Sequence, residues 1–167
     1  MTWRKFRASP QVRIPVNLKS SPAGSMKTFE SKWEGNDGIT FFMQGWEPDT
    51  DPKALIVLVH GLGEHTGRYM HVGKAMAAAG YALAGFDLRG HGRSGGARGH
   101  SSSLRAYMQD IRQFLDLMAQ RYAELPRFLY GHSLGGLLSL SYAIQYGADL
   151  KGVIVTGAAL RSSLQEQ

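Results

Sequence analysis

Four short apolar runs constrain this chain more than any other feature. They are ALIVLVH (residues 54–60), YALAGFD (81–87), RFLYGH (127–132) and KGVIVTGA (151–158). Each is apolar on both faces of an extended chain, the pattern of a strand buried from both sides in a parallel sheet. Helical stripes separate them. Tyr69, Val72, Met76 and Ala79 share one face, and Gly80 is placed to end that helix. Leu104, Tyr107, Met108, Ile111, Phe114, Leu115, Met118 and Tyr122 form a longer stripe. Ser101 to Ser103 supply helix caps for it, and Pro126 forbids its continuation. Residues 134–146 are apolar almost all round, which predicts a buried helix. Before these units, Gly35-Asn36-Asp37-Gly38 joins two strand-like runs as a hairpin. The expected fold is α/β: a mainly parallel, doubly wound sheet with an N-terminal hairpin and helices on both faces.

Composition narrows the function classes. With 167 residues, 43% of them hydrophobic, the chain can bury a real core. It has no cysteine, which excludes disulfides and thiolate metal sites and fits a reducing, cytoplasmic setting. No apolar run approaches the length of a membrane span. Residues 1–25 hold Arg4, Lys5, Arg7, Arg13 and Lys19 and no acid, so they carry five of the six net positive charges. Three prolines and no sustained period mark them as a flexible basic extension, and Met26 is an alternative natural start. Trp3 and Phe6 among those charges would allow transient membrane-surface contact, although Pro10 and Pro15 prevent a long amphipathic helix. The remaining domain, 26–167, is nearly neutral, and no basic face for nucleic acid is visible.

The chemistry gathers at the C-terminal ends of the predicted strands. Gly131-His132-Ser133-Leu134-Gly135 fits G-x-S-x-G, with a buried strand before it and a helix after it. That context is the one a nucleophile elbow requires. Ser133 would then be presented at the strand's carboxyl end, with the Leu134 N–H as one oxyanion donor. The competing reading is a serine that merely caps a helix beside turn glycines. After the first strand, His60-Gly61-Leu62-Gly63-Glu64-His65 can aim the Leu62 N–H at the same oxyanion, or can be an ordinary turn. A third loop, Gly90-His91-Gly92-Arg93-Ser94-Gly95, matches G-x-G-x-x-G, with Asp110 twenty residues after Gly90. Its glycines do not open a helix, and Asp110 falls inside one, so a dinucleotide site is not expected. Arg89 and Arg93 are expected to tie that loop down or to face solvent. His60 and His65 lack a carboxylate set for a metal and are expected to be structural.

HGLGEHTGRY, DLRGHGRSGG and GHSLGG, in this order, resemble the α/β-hydrolase superfamily. The likeness is to its monoacylglycerol lipase and lysophospholipase branch, grouped with serine aminopeptidase-like hydrolases, and covers about residues 28–160. It implies Ser133 as nucleophile, Leu62 and Leu134 as oxyanion donors, a small ester or lipid substrate, and no metal or organic cofactor. It also implies an acid and a histidine after the serine. Only Asp149 and Glu166 follow Ser133 as acids, and all six histidines (60, 65, 71, 91, 100 and 132) stand at or before the elbow. Asp149 precedes the last apolar run, at the wrong end of its strand. His132 neighbours Ser133 but should point to the opposite face.

The expectation is therefore the N-terminal part of a hydrolase, an incomplete fold lacking the later strands and cap. The nucleophile is present, but no acid or histidine of a triad is in the chain. A serine esterase inactive on its own is the first reading. A non-catalytic domain binding an acyl ligand or a protein partner is the alternative. A complementing chain, or self-association through an exposed sheet edge at GVIVTGA, fits either.

Overall fold

A computed structural model describes residues 26–160. The basic segment 1–25, expected to be a flexible extension, and Glu166 lie outside the described residues. Six strands form one sheet: β1 (Lys27–Glu34), β2 (Thr40–Glu47), β3 (Leu55–Val59), β4 (Ala82–Phe86), β5 (Arg127–His132) and β6 (Gly152–Thr156). Their order in space is β1-β2-β4-β3-β5-β6. β1 pairs antiparallel with β2, and β2 antiparallel with β4. β3 pairs parallel with β4 and β5, and β5 parallel with β6. The predicted hairpin closes through Gly35 and Gly38, with Gly38 N–H donating to Gly35 O at 2.9 Å.

Alternation along β3 sets the layers. Leu55, Val57 and Val59 face one side, where they meet α2 (Leu104–Arg121) and α3 (Leu134–Tyr146). Ile56 and Leu58 face the other, with Trp46, Leu83 and Tyr69, under α1 (Met70–Ala78). Both faces of the central strands are thus covered, which is why those runs carry no polar alternation. The larger core ties the hairpin to α2 through rings: Trp33 stacks on Phe41 at 4.7 Å, and Phe86 meets Phe114 at 4.9 Å.

Helix ends follow their sequence signals. Ser103 Oγ accepts the Ala106 N–H at 3.2 Å and starts α2. After α1, Gly80 adopts φ +86°; its N–H bonds Ala77 O and the Tyr81 N–H bonds Met76 O, both at 2.9 Å. This paired closure requires a left-handed residue, which glycine supplies without a Cβ penalty.

Three expectations need correction. Ala79 is exposed, and the inner face of α1 is instead Gly73 and Ala77, with Val72 and Met76 half-buried. Leu104, at the first turn of α2, is also exposed. The buried-all-round reading of α3 fails at Ile144, which is 84% exposed. An apolar sequence reports what a helix is able to bury; here only the side carrying Gly135, Leu138, Ser139 and Tyr142 meets the sheet and α2. β6 lies at the edge of the sheet, with Ile154 and Val155 exposed, as expected from GVIVTGA.

A buried ion pair locks the loop after β4 to α2. Arg89 donates Nε and Nη2 to the two carboxylate oxygens of Asp110 at 2.7 and 2.6 Å. Its Nη1 reaches Asp37 in the hairpin turn at 3.0 Å. These bonds hold the Arg89 guanidinium above its ordinary range. A fork-to-fork pair of this kind fixes geometry, and removing one partner strands the other charge. Asp110→Ala should therefore cost about 3 kcal/mol or more in urea unfolding. The double variant Arg89→Met, Asp110→Leu should recover much of that loss.

Candidate active site

Parallel pairing brings the ends of β3, β4 and β5 to one side of the sheet, so three loops meet there. β5 passes directly into α3 at Ser133, whose backbone sits at φ 51° and ψ −116°. It is the only non-glycine residue with positive φ among those described. Such a conformation costs about 1–3 kcal/mol and persists only where surroundings enforce it. Here the Ser133 N–H donates to Thr156 O of β6 at 2.9 Å, and Ser133 O accepts from Leu137 at 3.2 Å. The glycines supply clearance. A Cβ on Gly135 would fall on the Val59 carbonyl oxygen, and one on Gly61 would lie 3.2 Å from Ser133 Cβ. The Ser133 side chain makes no capping bond to α3, so the helix-cap reading is not realised.

The loop after β3 packs against this turn. His60 is fully buried and makes two bonds. Its Nε2 accepts the Leu88 N–H at 2.8 Å, and its Nδ1 lies 2.8 Å from Gly61 O. With Nε2 occupied as an acceptor, the network assigns the neutral ring with a proton on Nδ1, donating to Gly61 O. Burial lowers the His60 pKa to about 4. Because the Gly61–Leu62 peptide is planar and trans, anchoring its C=O points the Leu62 N–H the opposite way. Among the described residues, neither the Leu62 nor the Leu134 N–H donates to a partner.

Asp87, at the end of β4, joins the loops from beneath. Its Oδ1 accepts Thr66 N–H at 2.8 Å and Thr66 Oγ1–H at 2.6 Å, and its Oδ2 accepts Arg93 N–H at 2.8 Å. Ser94 Oγ donates to Asp87 O at 2.5 Å and accepts from Phe42 N–H at 2.9 Å. Arg93 pairs with Glu30 at 2.8 Å over the Phe42 ring. The glycine-rich segment is thus a tied-down loop, and its Asp110 partners Arg89.

The other expected residues fall as follows. His132 Nδ1 meets Thr156 Oγ1 at 3.0 Å, beside Gly157 and not at Ser133 Oγ. Asp149 lies in a 3-10 turn, Gly147–Asp149, at the entry end of β6. His71 and His100 are exposed, and the His65 ring borders Gly67. No group of three or more His, Cys, Asp or Glu able to hold a metal occurs among the described residues. No described helix is long and apolar enough to cross a membrane. Sequence reasoning missed Glu64, Thr66 and Asp87. All three were visible only as letters of HGLGEHTGRY or DLRGHGRSGG, and Thr66 and Asp87 pair across loops 21 residues apart.

A family model described as serine aminopeptidase, S33, matches residues 50–166. The chain belongs to this family. It is 38% identical over 133 residues to a monoacylglycerol lipase of Mycolicibacterium smegmatis, covering 80% of this chain and 48% of that protein. It is 35% identical over 119 residues to the Homo sapiens monoglyceride lipase, covering 71% of this chain and 39% of that one. The fold matches a carboxyl esterase from Bacillus coagulans with a TM-score of 0.72 at 27% identity, over 78% of this chain and 44% of the esterase. It matches the Paleococcus ferrophilus monoacylglycerol lipase with a TM-score of 0.63 at 36% identity, over 74% and 45% of the two chains. The architecture is that of the α/β-hydrolases, and the chain spans under half the length of these relatives.

The buried His60 of this S33 chain predicts a pH effect. Folded His60 stays neutral down to about pH 4, whereas the unfolded residue takes its proton near 6.5. The unfolded state then holds the extra proton, so stability is full above 6.5 and falls as pH drops towards 4. The full span is worth about 3 kcal/mol. Urea unfolding should show the loss beginning between pH 6.5 and 5. His60→Gln should flatten the curve in that interval.

Proposed function

We propose that this domain belongs to an enzyme that hydrolyses carboxylic esters through an acyl-enzyme on Ser133. The observation that carries the reading is the strained Ser133 backbone between β5 and α3, with its side chain uncommitted to the helix. Among the described residues the Leu62 and Leu134 N–H groups have no hydrogen-bond partner, and Gly61, which precedes Leu62, packs against Ser133. In the reaction, Ser133 Oγ bonds to the ester carbonyl carbon while its proton passes to a base. The carbonyl oxygen takes the negative charge towards the two N–H donors. The alcohol leaves with the proton, and water, deprotonated by the same base, releases the acid. The substrate class is a monoacylglycerol, by the named activities of two relatives, or a lysophospholipid or similar small ester, by the motif resemblance.

The base is the critical part. No histidine follows Ser133 in the sequence, and His132 is turned to Thr156. The chain alone should therefore turn over esters slower than a complete relative by about 10⁴-fold or more. A chimera tests this: residues 26–160 joined to the part of the M. smegmatis lipase that follows its matched region. It should hydrolyse p-nitrophenyl butyrate and a monoacylglycerol, and Ser133→Ala should abolish both activities. A folded but inactive chimera would sink the esterase reading. Robust Ser133-dependent turnover by the chain alone would sink the missing-base argument.

A further inference from the structure

Glu64 occupies a place that the acyl-transfer chemistry does not account for. Its Oε1 accepts two hydrogen bonds at once, from the Gly61 N–H at 2.5 Å and from the Tyr69 O–H at 2.6 Å. Its Oε2 lies 3.5 Å from Arg68 Nε. The carboxylate is largely buried while Arg68 is largely exposed, so the short bonds within the loop define its position. Burial raises the Glu64 pKa, but the Tyr69 hydroxyl and the Gly61 N–H outweigh it, and the net direction is down. His60 and His132 are the other titratable groups near enough to act on this carboxylate, each weakly and in the lowering direction. Burial and the same carboxylate push the Tyr69 hydroxyl far up, so it stays a donor.

The consequence is geometric. Gly61 is flanked by two peptide planes. The one after it is held through its carbonyl by His60. The one before it is held through its N–H by Glu64. A glycine has no side chain to restrict its two dihedrals, so its conformation is set by these clamps. The two clamps together fix the Gly61 dihedrals; without Glu64 the plane carrying the Leu62 N–H keeps only its single bond to His60, about which it can turn. Gly61 stands against Ser133 itself, so any rotation is felt at the elbow. Tyr69, packed in the smaller core under α1, transmits the rigidity of that layer to the carboxylate.

We propose that Glu64 is a positioning residue that, braced by Tyr69, holds the Leu62 N–H in the direction an oxyanion requires. The role rests on the esterase reading for its purpose, but its geometry is measurable without turnover.

The test is NMR on the full chain with ¹⁵N labelling. The Gly61 amide proton should lie far downfield and follow the Glu64 titration, with a midpoint below the ordinary 4.5. Glu64→Ala should speed Gly61 amide exchange by about 10- to 100-fold. It should also change the Leu62 N–H residual dipolar coupling, which reports the direction of that bond. Glu64→Gln keeps a carbonyl acceptor and should leave the Leu62 coupling close to wild type. Tyr69→Phe removes one donor and should move the Gly61 titration midpoint upward, and it serves if the alanine variant fails to fold. A Leu62 coupling unchanged in folded Glu64→Ala, or a Gly61 amide indifferent to pH, would overturn the proposal. Lack of esterase activity in the chimera would count against the proposed function alone, because none of these readouts depends on turnover.

Discussion

The geometry of the site depends on one buried carboxylate, Asp87. It is 1% exposed and receives three hydrogen bonds from two different loops. A buried carboxylate is costly unless its lone pairs are filled, and these partners fill them. The loops after β3 and β4 therefore cannot move independently. His60 adds a second cross-link between the same two loops through Leu88 N–H. With both in place, the segment carrying Leu62 has a fixed frame against which Ser133 is presented.

Ser133 then completes a balance between strain and support. Its left-handed backbone is unfavourable for any residue with a Cβ. What holds it is the register of β5 against β6, since its N–H reaches Thr156 O at the end of that pairing. The helix beginning at Leu134 fixes the other side. The elbow is thus a property of strand pairing as much as of the local glycine pattern, which only makes room for it.

Much of this was legible in the sequence, for a physical reason. Strand runs buried on both faces and helices with a continuous stripe advertise themselves by period, and β3, β4, β5 and α2 fell where their runs predicted. Gly80 and Ser103 acted as the stop and the cap their residue types suggest. Side-chain pairing between loops has no period. Thr66 with Asp87, and Glu64 with both Gly61 and Tyr69, could be seen only after folding. Asp110 shows that spacing needs context: it stands twenty residues after Gly90, but its place inside a helix argues against a dinucleotide site, and its partner is Arg89. Ile144 shows a different limit, because apolar character does not say what lies over a helix.

The two margins of the sheet are chemically unlike. β1 bears Lys27, Glu30, Lys32 and Glu34, the charged pattern by which natural strands discourage further pairing. β6 reads Gly-Val-Ile-Val-Thr, with no charge in it. The sheet consequently has a direction of growth. A strand that extends it has an unguarded template beside β6 and a defended one beside β1. Any such addition would also lean on the strand whose Thr156 carbonyl holds the serine turn, so events at that margin are mechanically one step from Ser133.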